Sequence, residues 1–129
     1  CIRDRLLAPY FSPIPGRETQ NYSSETDAVA AGSYKTKHPP EIRGSGYVVE
    51  SLEAALWAFH EAEDFEDAVL AAVNLGDDAD TTGAVCGQLA GAYWGAEGIP
   101  DEWLQHLAKR NTIEKMLSDI IKADVTPSP

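Results

Sequence analysis

From position 51 onward, apolar residues recur at helical spacing. Leu52, Ala55, Leu56 and Phe59 fall at i, i+3, i+4 and i+7 behind Ser51, a residue suited to an N-cap. Asp64 is placed to cap a second helix whose stripe is Phe65, Ala68, Val69, Ala72 and Val73, with Gly76 where a C-terminal glycine belongs. A third helix is predicted from near Asp80 to about Ala96, with Gly83, Gly87, Gly91 and Gly95 at every fourth position. Each glycine costs a helix roughly 1 kcal/mol relative to alanine, a cost accepted where a bare face lets another backbone come close. Pro100 opens a fourth helix with Trp103, Leu104 and Leu107 inward. Asn111 to Glu114 makes a capping-box-like start for a fifth, with Ile113, Met116, Leu117, Ile120 and Ile121 as its stripe. No segment alternates as a strand does. The pattern predicts an all-α helical bundle around a buried, glycine-rich central helix.

Residues 8 to 44 lack this periodicity. Pro9, Pro13, Pro15, Gly16, Pro39 and Pro40 punctuate them, and one short helix is expected at Thr26–Ala31, closing at Gly32. The chain therefore divides into an irregular segment (1–43), a helical part (44–125) and a loose tail (126–129). A structureless stretch this long carries function or packs over another part of a protein. The opening residues, Cys1 to Leu7, read as the last turns of a longer helix, so the chain is expected to be a piece of a larger protein.

Composition narrows the function. Hydrophobic residues make up 43% of the 129, enough for a packed core. A formal net charge of −11 repels phosphate backbones and argues against nucleic acid as a partner. Two cysteines, Cys1 and Cys86, suggest no disulfide framework and fit a reducing compartment, the cytoplasm. No apolar run approaches the roughly 20 residues that span a bilayer, so no membrane role is expected.

One constellation carries chemistry. Gly76-Asp77-Asp78-Ala79-Asp80-Thr81-Thr82-Gly83 sets three carboxylates within four residues at the start of the glycine-rich helix. The positive end of the helix dipole favours them, yet three together repel one another, and a divalent cation resolves that repulsion. Asp78, Asp80 and the Thr81 hydroxyl are hard oxygen donors, suited to Mg²⁺, Mn²⁺ or Ca²⁺. An EF-hand register begun at Asp78 puts Leu89 where a bidentate Glu is needed, and one begun at Asp77 puts Ala79 at the third position, so neither works. The plain alternative is a solvated acidic turn that caps a helix.

The run Asn74 to Val85, followed by Gly87-Gln88-Leu89-Ala90-Gly91-Ala92-Tyr93, resembles the C-terminal metal motif of ADP-ribosylglycohydrolases, the family that includes the dinitrogenase-reductase-activating glycohydrolases. Upstream, Gly44-Ser45-Gly46-Tyr47-Val48-Val49-Glu50-Ser51-Leu52 and the helix to Trp57 resemble the family's loop and helix beside the ADP-ribose pocket. The resemblance runs from about Gly44 to Leu117. It implies that Asp78, Asp80 and Thr81 are metal ligands in a site for two Mg²⁺ or Mn²⁺ ions, with Asp80 the bridge. Asp77, at a position often occupied by glycine in relatives, would support them without binding metal. Ser45, Gly46 and Tyr47 would face the substrate. The implied activity is metal-dependent hydrolysis of an ADP-ribosyl linkage, with water attacking the anomeric carbon and the metals orienting substrate and nucleophile. A crystallin-like protein without activity on the same scaffold is the alternative.

The family's other ligands, a Thr-Asp-Asp-type cluster in the N-terminal half, have no counterpart in Cys1 to Pro40. Glu25 and Thr26-Asp27-Ala28 are poor substitutes, and no general base is identified. This chain is thus expected to hold part of the site, with the N-terminal half of the same protein, as another chain, supplying the rest. Cys1 as a processed terminal nucleophile lacks an orienting partner nearby. His38, His60 and His106 lack a metal-ligand spacing, and Cys86 reads as a small buried residue.

Overall fold

The computed structural model describes residues 2–9 and 22–125. Among them the regular elements are α1 (Ile2–Leu6), α2 (Ser24–Ala31), a 3-10 turn (Ser33–Lys35), α3 (Val48–Glu61), α4 (Phe65–Val73), α5 (Ala79–Trp94), a second 3-10 turn (Ala96–Gly98), α6 (Asp101–His106) and α7 (Arg110–Val125). The all-α expectation holds. The chain forms two compact units, Cys1–Gly98 and Ile99–Pro129. Cys1, the punctuated stretch with Pro13, Pro15 and Gly16, and the tail from Thr126 lie outside the described residues. No described helix is long and apolar enough to cross a membrane.

In the first unit, α2 begins two residues earlier than its pattern suggests. The Ser23 hydroxyl accepts from the Thr26 amide at 3.3 Å, and Gly32 closes the helix in the left-handed conformation at φ 98°. Asp64 caps α4 as expected, its Oδ1 accepting from the Asp67 amide at 2.8 Å. Helices α3, α4 and α5 pack against one another. Their contact faces are small. Ala54, Ala55, Ala58, Ala68, Ala72, Cys86 and Ala90 are fully buried, with Phe59 the largest side chain among them. Alanine faces let the three helix axes close up, and the burial of Phe59 contributes about 1.5–3 kcal/mol.

Two readings of this unit need correction. Ser51 is not the N-cap of α3. The helix starts at Val48 after an extended Tyr47 (φ −81°, ψ 121°), and Ser51 sits one turn inside, buried against α5. Leu52, expected inward, is exposed, because the buried stripe runs through Ser51, Ala54, Ala55, Ala58 and Phe59 instead. The glycine-rich helix α5 is buried along one stripe, Thr82, Cys86 and Ala90. Its close approach is at Gly83, where an added β-carbon would lie 2.7 Å from Val73 Cγ1 of α4, while Gly87 has nothing within 4 Å. Arg3 closes the C-terminal end of α3. Its guanidinium donates to the Phe59 carbonyl at 2.5 Å and to that of His60, and lies 5.2 Å from the Phe59 ring centroid.

In the second unit, Pro100 caps α6 from outside rather than filling its first turn. Helix α7 forms where its stripe predicts, yet Ile113, Met116, Leu117, Ile120 and Ile121 are all exposed.

Candidate functional site

The turn between α4 and α5 is built by two left-handed residues, Gly76 (φ 75°) and Asp77 (φ 57°). A non-glycine residue there carries strain that Asp tolerates better than most. Asp77 is exposed and turned outward along a separate cleft.

Asp78 is the backbone cap of α5. Its carbonyl accepts from the Thr82 amide and from Thr82 Oγ1, each at 3.1 Å. Its carboxylate accepts from Thr81 Oγ1 at 3.1 Å. The neighbouring Asp80 carboxyl is held below its usual range, first by a hydrogen bond with the Asp78 side chain and then by the Thr81 and Asp80 backbone amides. Asp78, Asp80 and Thr81 thus form one oxygen cluster at the positive end of α5.

The upstream loop is pinned to this cluster. The Asp78 amide donates to the Gly44 carbonyl at 2.8 Å. A β-carbon added at Gly46 would lie 3.7 Å from Asp78 Oδ2, and one added at Gly44 would meet Thr82 Oγ1 at 3.0 Å and the Gly76 carbonyl at 3.3 Å. Gly44 is buried, and a side chain there would crowd Thr82 and the Gly76 carbonyl. Behind the loop, the fully buried Thr82 spends its hydroxyl proton on the Asp78 carbonyl, so Ser51 Oγ, 3.3 Å away, is the donor to it. The sequence points to Ser51 only as an N-cap and to Thr82 only as the neighbour of Thr81, so their contact is not legible there. The signal for the burial of Thr82 is its place four residues before Cys86 on the buried stripe.

Ser45 and Tyr47 are held by carboxylates. Ser45 Oγ donates to Glu50 Oε2 and accepts from the Tyr47 amide at 3.2 Å. Arg43 adds an ion pair to Glu50 at 3.1 Å. The Ser45 hydroxyl, ahead of Arg43, keeps the Glu50 carboxyl below its usual range. The Tyr47 hydroxyl donates to Glu25 Oε2 of α2 at 2.6 Å. Glu25, read from the sequence as a loop residue, thus stands beside the Gly44–Tyr47 loop. Tyr47, Glu25, Glu50, Glu53 and Lys37 line a cleft of about 320 Å³. A second cleft, about 520 Å³, runs under Pro39, Pro40 and Ile42 past Trp57, whose buried Nε1 has no hydrogen-bond partner among the described residues.

Two separate motifs, one before α3 and one opening α5, therefore form one surface of glycine backbone, Tyr47 and a carboxylate cluster. The sequence profile of the ADP-ribosylglycohydrolase family matches residues 3–129. The chain belongs to that family. It is 41% identical over 118 residues, 92% of its length, to an ADP-ribosylarginine hydrolase Tri1 of Serratia proteamaculans. It is 49% identical over 92 residues to the protein of that name from Pseudomonas putida, and 39% identical over 69 residues to the ADP-ribosyl-[dinitrogen reductase] glycohydrolase of Rhodospirillum rubrum. It spans 30%, 25% and 24% of the lengths of these relatives. A solved ADP-ribosylglycohydrolase-related protein complex superposes with a TM-score of 0.74 at 42% identity, covering 88% of this chain and 37% of that one. Within this family member, the described residues contain no group of three or more His, Cys, Asp or Glu side chains placed to hold a metal ion. Asp78, Asp80 and Thr81 present oxygen donors of the kind that suit hard cations.

Proposed function

We propose that this chain supplies the C-terminal part of an ADP-ribosylglycohydrolase active site that releases ADP-ribose from a modified arginine side chain. The names of the relatives support arginine as the attachment point. The observation that carries the reading is the Asp78 amide donating to the Gly44 carbonyl, which brings the Gly44–Tyr47 loop to the Asp78, Asp80 and Thr81 cluster. In this reading Asp78, Asp80 and Thr81 hold Mg²⁺ or Mn²⁺, two ions in the complete site. Bound metal supplies charge that orients the ribose and makes water a better nucleophile. The chain's own residues do the rest of the positioning. Gly46 leaves room for ligand beside Asp78, Tyr47 offers a ring and hydroxyl at the cleft mouth, and the lowered Asp80 carboxyl is anionic at neutral pH, as a ligand must be. The remaining ligands come from the complementary N-terminal part of the domain.

The test is a thermal melt of the assembled protein, this chain with the complementary part, with and without millimolar Mg²⁺ or Mn²⁺. Metal at a hundredfold excess over its dissociation constant adds about 2.7 kcal/mol. Asp80→Asn removes most of the shift. No shift in the parent protein contradicts the metal assignment.

A further inference from the structure

We infer that Glu25 of α2 is a positioning residue for Tyr47, holding the phenol ring at the mouth of the cleft so that it meets the ligand in one orientation. The inference deepens the function proposed above and rests on it. Tyr47 lies on a loop just before α3 and is about half exposed, so packing holds its ring only in part. Its backbone is fixed, through its amide on Ser45 Oγ and through the Gly44 carbonyl on the Asp78 amide. The side chain is tethered by a 2.6 Å hydrogen bond from its hydroxyl to Glu25 Oε2. The other two carboxylates of the cleft are engaged elsewhere. Glu50 holds Ser45 and Arg43, and Glu53 takes Lys37 at 2.8 Å and the Ser33 hydroxyl. Glu25 reaches the Tyr47 hydroxyl from a separate helix.

That helix is itself anchored. Ser23 caps it, Gly32 ends it, Val29 is buried, and it packs on α3 and on the 3-10 turn Ser33–Lys35. The tether thus ties the exposed end of Tyr47 to a helix of the framework rather than to another loop. A bond to a charged acceptor is stronger than one between neutral groups. The same acceptor and its negative charge raise the Tyr47 phenol above its ordinary value, so the phenol stays protonated and able to donate throughout the neutral range. A ring pre-set this way loses less side-chain freedom when ligand arrives.

The experiment measures ADP-ribose binding by calorimetry, and turnover of ADP-ribosylated arginine, with the assembled protein and its variants Glu25→Ala, Glu25→Gln, Tyr47→Phe and the double variant Glu25→Ala/Tyr47→Phe. Glu25→Ala is expected to weaken ADP-ribose binding about fivefold while leaving the melting temperature within experimental scatter. Glu25→Gln, whose amide oxygen still accepts from the phenol, recovers most of that loss. In the Tyr47→Phe background, Glu25→Ala has no further effect, because the bond it breaks is already gone. A Glu25→Ala loss that is the same with or without the Tyr47 hydroxyl overturns the positioning role and leaves the proposed function standing. A loss matched by a fall in melting temperature, and not rescued by Glu25→Gln, makes Glu25 structural and also overturns it. If the parent protein binds no ADP-ribose, the proposed function fails and this inference falls with it.

Discussion

Two adjacent threonines should respond to the same substitution in opposite ways. Thr82 is fully buried, and its Oγ1 both donates to the Asp78 carbonyl at 3.1 Å and faces Ser51 Oγ at 3.3 Å. Thr82→Val keeps the shape and removes the oxygen. The Asp78 carbonyl retains the Thr82 amide as donor, but Ser51, 3% exposed, loses its acceptor in a site closed to water. A buried hydroxyl left unmade costs about 1–3 kcal/mol, and the lost bond to Asp78 about 1 more. We expect Thr82→Val to lower the stability of the assembled protein by about 2–4 kcal/mol. Thr81 is exposed and its hydroxyl donates to Asp78 Oδ1 at the surface, so Thr81→Val should cost under about 0.5 kcal/mol. Urea unfolding measures both, read as a shift in midpoint at unchanged slope. The metal response should divide the other way, with Thr81→Val reducing the metal-induced melting shift and Thr82→Val keeping it. Adding Ser51→Ala to Thr82→Val removes the stranded hydroxyl and should recover more than half of the loss. Equal stability losses at the two positions, or no recovery on adding Ser51→Ala, would refute the claim that Thr82 and Ser51 join α3 to the start of α5.

Asp77, at φ 57°, should accept glycine almost without cost, since the relief of left-handed strain offsets the greater freedom of the unfolded chain, whereas Asp77→Val should cost about 1–2 kcal/mol; denaturant midpoints decide. Burial pushes the Cys86 thiol up to about 11 from 9.0. The folded state therefore keeps its proton where the unfolded chain has lost it, so this contribution to stability is full below pH 9 and disappears as pH rises from 9 to 11. Cys86→Ala should flatten the fall in stability over that window, and Cys86 in the native protein should resist alkylation at pH 8; rapid labelling there would contradict its burial.

What was legible in the sequence was what local chemistry determines. The Asp64 cap, the left-handed Gly32 and Gly76 and the glycine-rich helix follow from side-chain types at fixed offsets. The convergence of the loop and the acidic turn was legible only through family resemblance, because residues 44–47 and 78–81 meet by folding rather than by spacing. Ser51 misled because serine suits an N-cap and an alanine-rich helix interface equally well, and the facing Thr82 decides between them. Glu25 was passed over because its partner lies 22 residues away and nothing periodic connects them. The stripe of α7 was visible and the helix forms, but the pattern reports only that a face is apolar, and among the described residues that face stays exposed.

The most direct test of the account is the rate of ADP-ribose release from an ADP-ribosylated arginine substrate by the assembled protein, with Mg²⁺ or Mn²⁺ and after chelation. The account predicts turnover that requires metal and falls by at least about 100-fold in Asp80→Asn at an unchanged fold. Turnover that persists after chelation and in Asp80→Asn would contradict it.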